Sequence, residues 1–388
     1  MGSRKFLVLT NDAGLGHRHA ALATVEALEE RYGHLSSTTL INPLEEPGAP
    51  TSMRNVQTNF NNVVQRAPLL YSFGHGFANS YLPTRFMERM EIHYLSETID
   101  QILGRTRPDL ILTTHPTYIY LLVDYRKRNG NTWRIAVLAT DLAHLQRLWF
   151  RREVDLYLVP TADAAQLAAR RGISPERVHV TGIPVDPCLA ESGQSKLQLR
   201  SQFGWLPELP VILAVGGRRV REFKSFLLAI NRAQLPVQLV VVAGDDEDLL
   251  ADIKVIEWQI PTHIYGYVND FPNRLRAADA IVCKAGGLTV AESLAAGVPM
   301  FIIQCMPMHE KGNAAYVVAS GAGIRTENPD ELVEALRGSL ASEGRLLAAM
   351  ADNARRMGRP QAAYDVAELL WNLVSEEDPE TGRVTPSL

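Results

Sequence analysis

The sequence predicts an α/β chain of two doubly wound domains, each a parallel sheet with helices on both faces. Three observations carry that prediction. Short continuous apolar runs alternate with helical stretches along most of the 388 residues. Both halves open in the same way, with Phe6-Leu-Val-Leu-Thr10 running into Asn11-Asp-Ala-Gly-Leu-Gly-His17, and Val211-Ile-Leu-Ala-Val215 running into Gly216-Gly217. The length also exceeds the roughly 250–300 residues at which one hydrophobic core stops growing, so two cores are expected.

Each element follows from its local pattern. After the first glycine turn, Ala20, Ala21, Ala23, Val25, Ala27 and Leu28 make a helix whose small side chains can lie close against a sheet. Buried strands are expected at Leu110-Ile-Leu112, Ile135-Ala-Val-Leu138 and Leu156-Tyr-Leu-Val159. In the second half they recur at Val237 to Val242, Ile264-Tyr265, Ala280-Ile-Val-Cys283 and Met300-Phe-Ile-Ile303. Breakers between Pro184 and Pro210, with Ser192-Gly-Gln-Ser195 among them, put the junction there. The first domain is therefore expected over 1–190 and the second over 195–360. A last helix is expected from Pro360 to Glu377, with Ala363, Val366, Leu369, Leu370 and Leu373 on one side, and a loose tail after Asp378.

Residues 51–99 break this rhythm. They hold 7 of the 28 Phe, Trp and Tyr residues and no clear buried strand. Helical candidates at Asn55 to Arg66 and Thr84 to Leu103 flank Tyr71-Ser-Phe-Gly-His-Gly-Phe77. Two readings stand. The segment is either a helical insertion packed on its own domain, or an interfacial patch whose aromatics sit at the lipid headgroups while Arg85 and Arg89 attract anionic lipid.

Composition narrows the function classes. Hydrophobic residues at 46% and charged residues at 21% are ordinary globular values, and the net charge of −4 argues against a nucleic-acid binder. Through Ala190 there are 20 Lys and Arg against 18 Asp and Glu; beyond it the counts are 19 and 25. Cys188, Cys283 and Cys305 are far apart and offer neither a disulfide framework nor a zinc site, which fits a reducing cytoplasm. The chain enters a strand pattern at Lys5, so no signal peptide is expected. Gly297, Pro299 and Pro307 break the long uncharged run Ser293 to His309, which excludes a membrane span there.

The strongest chemical signal lies between Gly266 and Asn313. A strand ending at Cys283 runs through Lys284-Ala-Gly-Gly-Leu-Thr289 into the helical stretch Val290-Ala-Glu-Ser-Leu-Ala-Ala296. Gly286 and Gly287 let backbone approach a ligand, and free N–H groups at a helix start favour an anion such as diphosphate. Thr289 can cap the helix or bond a phosphate oxygen. Glu292, one turn in, would be repelled by phosphate but can accept two hydrogen bonds from a ribose diol. A lone glycine turn with Glu as a favourable first-turn residue would look the same over these few residues.

The arrangement from Gly266 to Asn313 is more specific than that. With Asp12-Ala-Gly-Leu-Gly-His17, Thr140-Asp141 followed by Trp149, Asp155-Leu-Tyr-Leu-Val-Pro160 and Val180-Thr-Gly-Ile-Pro184, it resembles the family 28 glycosyltransferases. These include the monogalactosyl- and glucosyl-diacylglycerol synthases and the N-acetylglucosaminyltransferase of peptidoglycan precursor synthesis. The resemblance spans most of the chain and is nearest the diacylglycerol branch. It implies a GT-B fold: two Rossmann-like domains facing a central cleft, the donor on the second and the acceptor on the first, with the last helix crossing back to the first domain.

Carried over by resemblance, Tyr267 and Val268 hold the uracil of a UDP-sugar. Gly286, Gly287, Leu288 and Thr289 cradle its diphosphate, and Glu292 binds the ribose. Glu310 and Asn313 look toward sugar and phosphates. The lipid branch usually reads Pro-Gly-Gln-Glu where this chain reads Pro307-Met308-His309-Glu310, so His309 replaces the expected sugar-contacting Gln. Gly217 belongs to the second glycine turn. Arg218 and Arg219 follow it, either meeting the diphosphate or lying solvated. On the acceptor side the resemblance brings in Gly16, Trp149 and Gln146, which stands where many relatives have a His; His144 lies two residues earlier.

An inverting transfer needs a base on the acceptor hydroxyl and an electrostatic sink for UDP. His17, at the carboxyl edge of the first strand, is the expected base, since an imidazole of ordinary pKa ~6.5 suits neutral pH. Asp12 and Asp141 can orient it or take the proton themselves; His115 follows a strand and can line the acceptor side. No acidic pair at metal spacing lies near the diphosphate turn, so neither metal nor cofactor is expected, with Lys284, Arg218 or Arg219 supplying positive charge.

The expected function is transfer of a hexose from a UDP-sugar to a lipid such as diacylglycerol. The expected place is the inner face of the cell membrane, held peripherally from the cytoplasm. The alternatives are N-acetylglucosaminyl transfer to a polyprenyl-diphosphate, transfer to a soluble acceptor, and a UDP-sugar-binding protein with no catalysis.

Overall fold

A computed structural model of the chain describes residues 3–12, 15–49, 81–142, 145–191, 193–305 and 309–375. The helix candidate at Asn55 to Arg66, the aromatic stretch Tyr71 to Phe77, His144, Pro307-Met308 and the tail after Asp378 lie outside the described residues. The chain divides into two compact units, 1–187 together with 361–388, and 188–360.

The first unit is built on a six-stranded, all-parallel sheet ordered β2-β1-β3-β4-β5-β6. Its strands are β1 (Arg4–Leu9), β2 (Ser36–Ile41), β3 (Leu110–Thr113), β4 (Arg134–Leu138), β5 (Leu156–Val159) and β6 (Val178–Val180). Between them run α1 (Leu15–Tyr32), α2 (Tyr81–Thr106), α3 (Thr117–Asn129) and α4 (Ala162–Arg170). The central strands are buried along their length because helices cover both faces, and this is why they read as continuous apolar runs. Ala20, Ala21, Ala23 and Ala27 of α1 are buried as the small-residue face requires.

The second unit repeats the plan, with strands ordered β12-β11-β10-β7-β8-β9 and all parallel. They are β7 (Val211–Val215), β8 (Gln238–Val242), β9 (Thr262–Tyr265), β10 (Ala280–Lys284), β11 (Met300–Gln304) and β12 (Gly323–Arg325). The helices are α5 (Lys196–Phe203), α6 (Phe223–Ala233), α7 (Glu247–Lys254), α8 (Phe271–Ala277), α9 (Gly287–Ala295), α10 (His309–Ala319), α11 (Pro329–Leu340) and α12 (Arg345–Met357).

The final helix, α13 (Ala362–Ser375), packs against α1 of the first unit. Trp371 stacks flat on Tyr32, ring centroids 4.5 Å apart, and the Tyr364 hydroxyl donates to Glu30 at 2.6 Å. In both sheets the strand order reverses beside the first strand of the unit, β1 or β7. Side chains at the carboxyl ends of the strands there flank an opening rather than a packed layer. Thr114 and His115 follow such an end in the first unit, and Lys284 to Thr289 lie at and beyond one in the second.

Candidate active site

In the first unit, three adjacent strands deliver one cluster. β1 leads into α1, and the structure places Gly16 and His17 in the first turn of that helix rather than in the loop before it. β3 ends at Thr113, ahead of Thr114 and His115, and β4 ends just before Thr140 and Asp141. The ring of His17 lies between them. Its Nδ1 is 2.8 Å from the carbonyl oxygen of Thr114 and 2.7 Å from the Thr140 hydroxyl. A carbonyl can only accept, so Nδ1 carries the proton and the lone pair belongs to Nε2.

His115 meets the His17 ring edge-on, with centroids 4.7 Å apart. Its Nδ1 accepts the Thr117 N–H at 3.3 Å, which puts its own proton on Nε2. Burial, and then the nearby His17, hold the His115 pKa well below the ordinary imidazole value, so it stays neutral near pH 7. Trp149, in a single 3₁₀ turn that Gln146 precedes, is 2% exposed, with its ring centroid 6.4 Å from that of His17. Asp141 is half-buried directly after Thr140.

Asp12 stands on the other side of α1's start, where its carboxylate accepts from Arg18 at 2.7 Å and from Asn42 at 3.3 Å. Glu45 completes that group. A hydrogen bond with Asp12, then burial, raises the Glu45 pKa above the ordinary carboxylate range. The hydrogen bonds that orient His17 through Nδ1 thus come from a backbone carbonyl and a threonine hydroxyl. Residue types could not disclose the carbonyl, because every residue has one. Thr140 was visible only as the neighbour of Asp141.

In the second unit the turn after β10 is built as its glycines suggest. Gly286 is the N-cap of α9 and, having no side chain, supplies no side-chain cap. A Cβ at position 286 would stand 3.1 Å from Lys284 Nζ, so the lysine lies close over the turn. Lys284 is ion-paired with the buried Glu310 of α10. Asn313, 1% exposed, donates Nδ2 to the carbonyl of Ala285 at 3.0 Å and so ties α10 to the turn. Its buried Oδ1 has no partner among the described residues. Glu292 is 8% exposed on the first turns of α9, beyond Gly287, Leu288 and Thr289.

Tyr267, 60% exposed, and the half-buried Val268 occupy the turn after β9. After β7, Gly217 has φ +125°, a conformation that favours glycine. Arg218 turns toward Asp245, 3.3 Å from its carbonyl and 3.9 Å from its carboxylate. His309 opens α10 beside Glu310. Burial pushes the Cys283 thiol, on β10, up to about 12, so it is an inert core residue.

Comparison with known proteins agrees with this division. The family model for monogalactosyldiacylglycerol (MGDG) synthase matches residues 17–185, and the glycosyltransferase family 28 C-terminal domain matches residues 211–369. The MGDG synthase of Spinacia oleracea is 25% identical over 96% of this chain and 73% of its own length. MGDG synthase 3 of Arabidopsis thaliana is 26% identical over 96% of this chain and 82% of its own. Among solved structures, MurG of Acinetobacter baumannii superposes with a TM-score of 0.59 at 16% identity, covering 95% of this chain and 99% of its own. Anabaena HepE in complex with UDP gives 0.56 at 16% identity, covering 96% and 98%. The fold is therefore GT-B, with two Rossmann-like domains.

Proposed function

Because the chain belongs to the family 28 glycosyltransferases, in their MGDG synthase branch, we propose that it moves a hexose from a UDP-sugar onto diacylglycerol at a membrane surface. The observation that carries this reading is a likeness to MGDG synthases running along 96% of the chain, so that both the acceptor-type and the donor-type domain are matched.

His17 Nε2 takes the proton of the acceptor hydroxyl, whose oxygen attacks the anomeric carbon with inversion. The bond from that carbon to the β-phosphate oxygen breaks, and its electron pair leaves with UDP. As the imidazolium forms, its Nδ1–H holds its place against the Thr114 carbonyl and the Thr140 hydroxyl. Asp141, next in sequence to Thr140, and Asp12, held by Arg18 and Asn42, are the carboxylates that could favour the cation. His115, Gln146, Trp149 and Gly16 line the acceptor side.

The N–H groups of Gly287, Leu288 and Thr289, at the start of α9, receive the diphosphate, together with Lys284 and Arg218. Glu292 takes the ribose diol, and Tyr267 and Val268 take the uracil. His309, Glu310 and Asn313 face the sugar. Among the described residues no helix is long and apolar enough to cross a membrane. Access to a lipid acceptor is by peripheral contact from the cytoplasmic side in this reading, with residues 51–99 as the candidate segment.

The test is UDP release from UDP-glucose, UDP-galactose and UDP-N-acetylglucosamine, with and without diacylglycerol vesicles, in EDTA. Release from one donor that depends on diacylglycerol is expected. Release independent of diacylglycerol overturns the acceptor, and loss of activity in EDTA overturns the metal-free mechanism. A vesicle sedimentation assay should show anionic lipid binding that weakens with salt.

A further inference from the structure

Among the described residues, two buried cations, Arg200 and Arg274, have no part in the mechanism above. Arg274, on the first turn of α8, is 9% exposed and sandwiched between two rings. Its guanidinium carbon lies 3.9 Å from the ring centroid of Tyr265, the last residue of β9, and 4.6 Å from that of Phe203, the last residue of α5. The same group reaches back with both prongs to Asp270, Nε to Oδ1 at 2.8 Å and Nη2 to Oδ2 at 3.1 Å. Asp270 is the N-cap of α8, yet it bonds no helix N–H through its side chain. Its carboxylate is given to the arginine instead. The frame continues outward: Trp205 Nε1 donates to the Tyr265 hydroxyl at 3.3 Å.

These contacts enclose one short segment. Tyr265 and Asp270 are the two ends of the turn 266–269, which carries the exposed Tyr267. A planar fork stacked between two faces fixes both position and rotation, which a lysine ammonium cannot do. We propose that Arg274 is a positioning residue that sets the geometry of this turn, and through it the discrimination of the nucleobase in a nucleoside diphosphate ligand. The inference rests on the donor reading above, in which this turn meets the base. Recognition by main chain and one ring face is only as selective as the turn is well placed.

The experiment compares UDP and ADP binding by calorimetry for the parent protein, Arg274→Met and Arg274→Lys, with donor KM and kcat for each. Arg274→Met should bind UDP ~10-fold more weakly, equivalent to about 1.4 kcal/mol. ADP binding should change much less, so the preference for UDP narrows. KM for the UDP-sugar should rise in step, while kcat at saturating donor stays within about twofold and Arg274→Lys falls between.

Equal weakening toward UDP and ADP, or unchanged UDP affinity in the folded variant, overturns the proposal. Circular dichroism reports folding; if Arg274→Met does not fold, Asp270→Asn removes the same ionic fork and is held to the same outcomes. A parent protein that binds UDP no better than ADP would instead defeat the assignment of this turn to the base. Loss of the UDP preference in the variants alone cannot be confused with that.

Discussion

The two halves of the active machinery are assembled in opposite ways. The base cluster joins residues far apart in sequence: His17 is 97 residues from Thr114 and 123 from Thr140, and each comes from the end of a different strand. The glycine-turn cluster is nearly continuous, from Lys284 to Glu292, with only Glu310 and Asn313 brought in from α10. On the proposed mechanism, one cluster works through side-chain chemistry at a single nitrogen and the other through backbone N–H groups at the start of α9. Damage to the first should therefore remove turnover and spare donor binding, while damage to the second should do the reverse.

The largest break in that comparison is His17→Ala. It should lower kcat by ~10²–10⁴-fold, the usual share of a general base, with UDP affinity unchanged by calorimetry. Equal loss of UDP binding would mean that the two clusters are not separable. Glu292→Ala is the mirror experiment. Losing a charged, bidentate acceptor for the ribose should weaken UDP by ~1.5–3 kcal/mol, and unchanged affinity would remove Glu292 from the donor site.

Thr140→Val sharpens the first half. It keeps the shape and deletes the hydroxyl at Nδ1, so a fall in kcat of ~3–10-fold is expected, the worth of one neutral hydrogen bond, since the Thr114 carbonyl remains. A donor-binding defect in this variant would count against the assignment.

The smallest expected effect is on stability. His115 has its pKa depressed by burial and by His17, so below the ordinary value of 6.5 the unfolded chain binds a proton that the folded chain does not. Stability is thus fully present above pH 6.5 and falls as the pH drops toward the folded pKa. Thermal melts of the parent protein and of His115→Phe should diverge across that window, with the variant flatter.

Between those clusters and the rest of the fold, legibility followed burial. β1, β3, β4, β5, β7, β8, β10 and β11 announced themselves as apolar runs because both faces of each are covered. β2, β6 and β12 did not. They are edge strands: Ser36-Ser-Thr-Thr-Leu-Ile41 alternates partly exposed and exposed positions, and Val178-His-Val180 is only half-covered. A strand paired on one side needs no continuous apolar signal. The start of α1 was also misplaced, since two glycines in Asp12 to His17 read as loop while the helix begins at Leu15.

Sequence alone determined the class of fold, the repeated strand–turn opening of both domains and the glycine turn with its glutamate, because those features are local and repeat with the period of buried strands and helices. The tertiary structure alone decided which nitrogen of His17 holds the lone pair, that Asp12 is engaged by Arg18 and Asn42, and that Lys284 is matched by Glu310. The physical reason is the same in each case. A hydrogen bond between strand ends depends on distances set by the packing of a whole sheet, and neither a backbone carbonyl nor a charge partner in space leaves a mark in the order of residues.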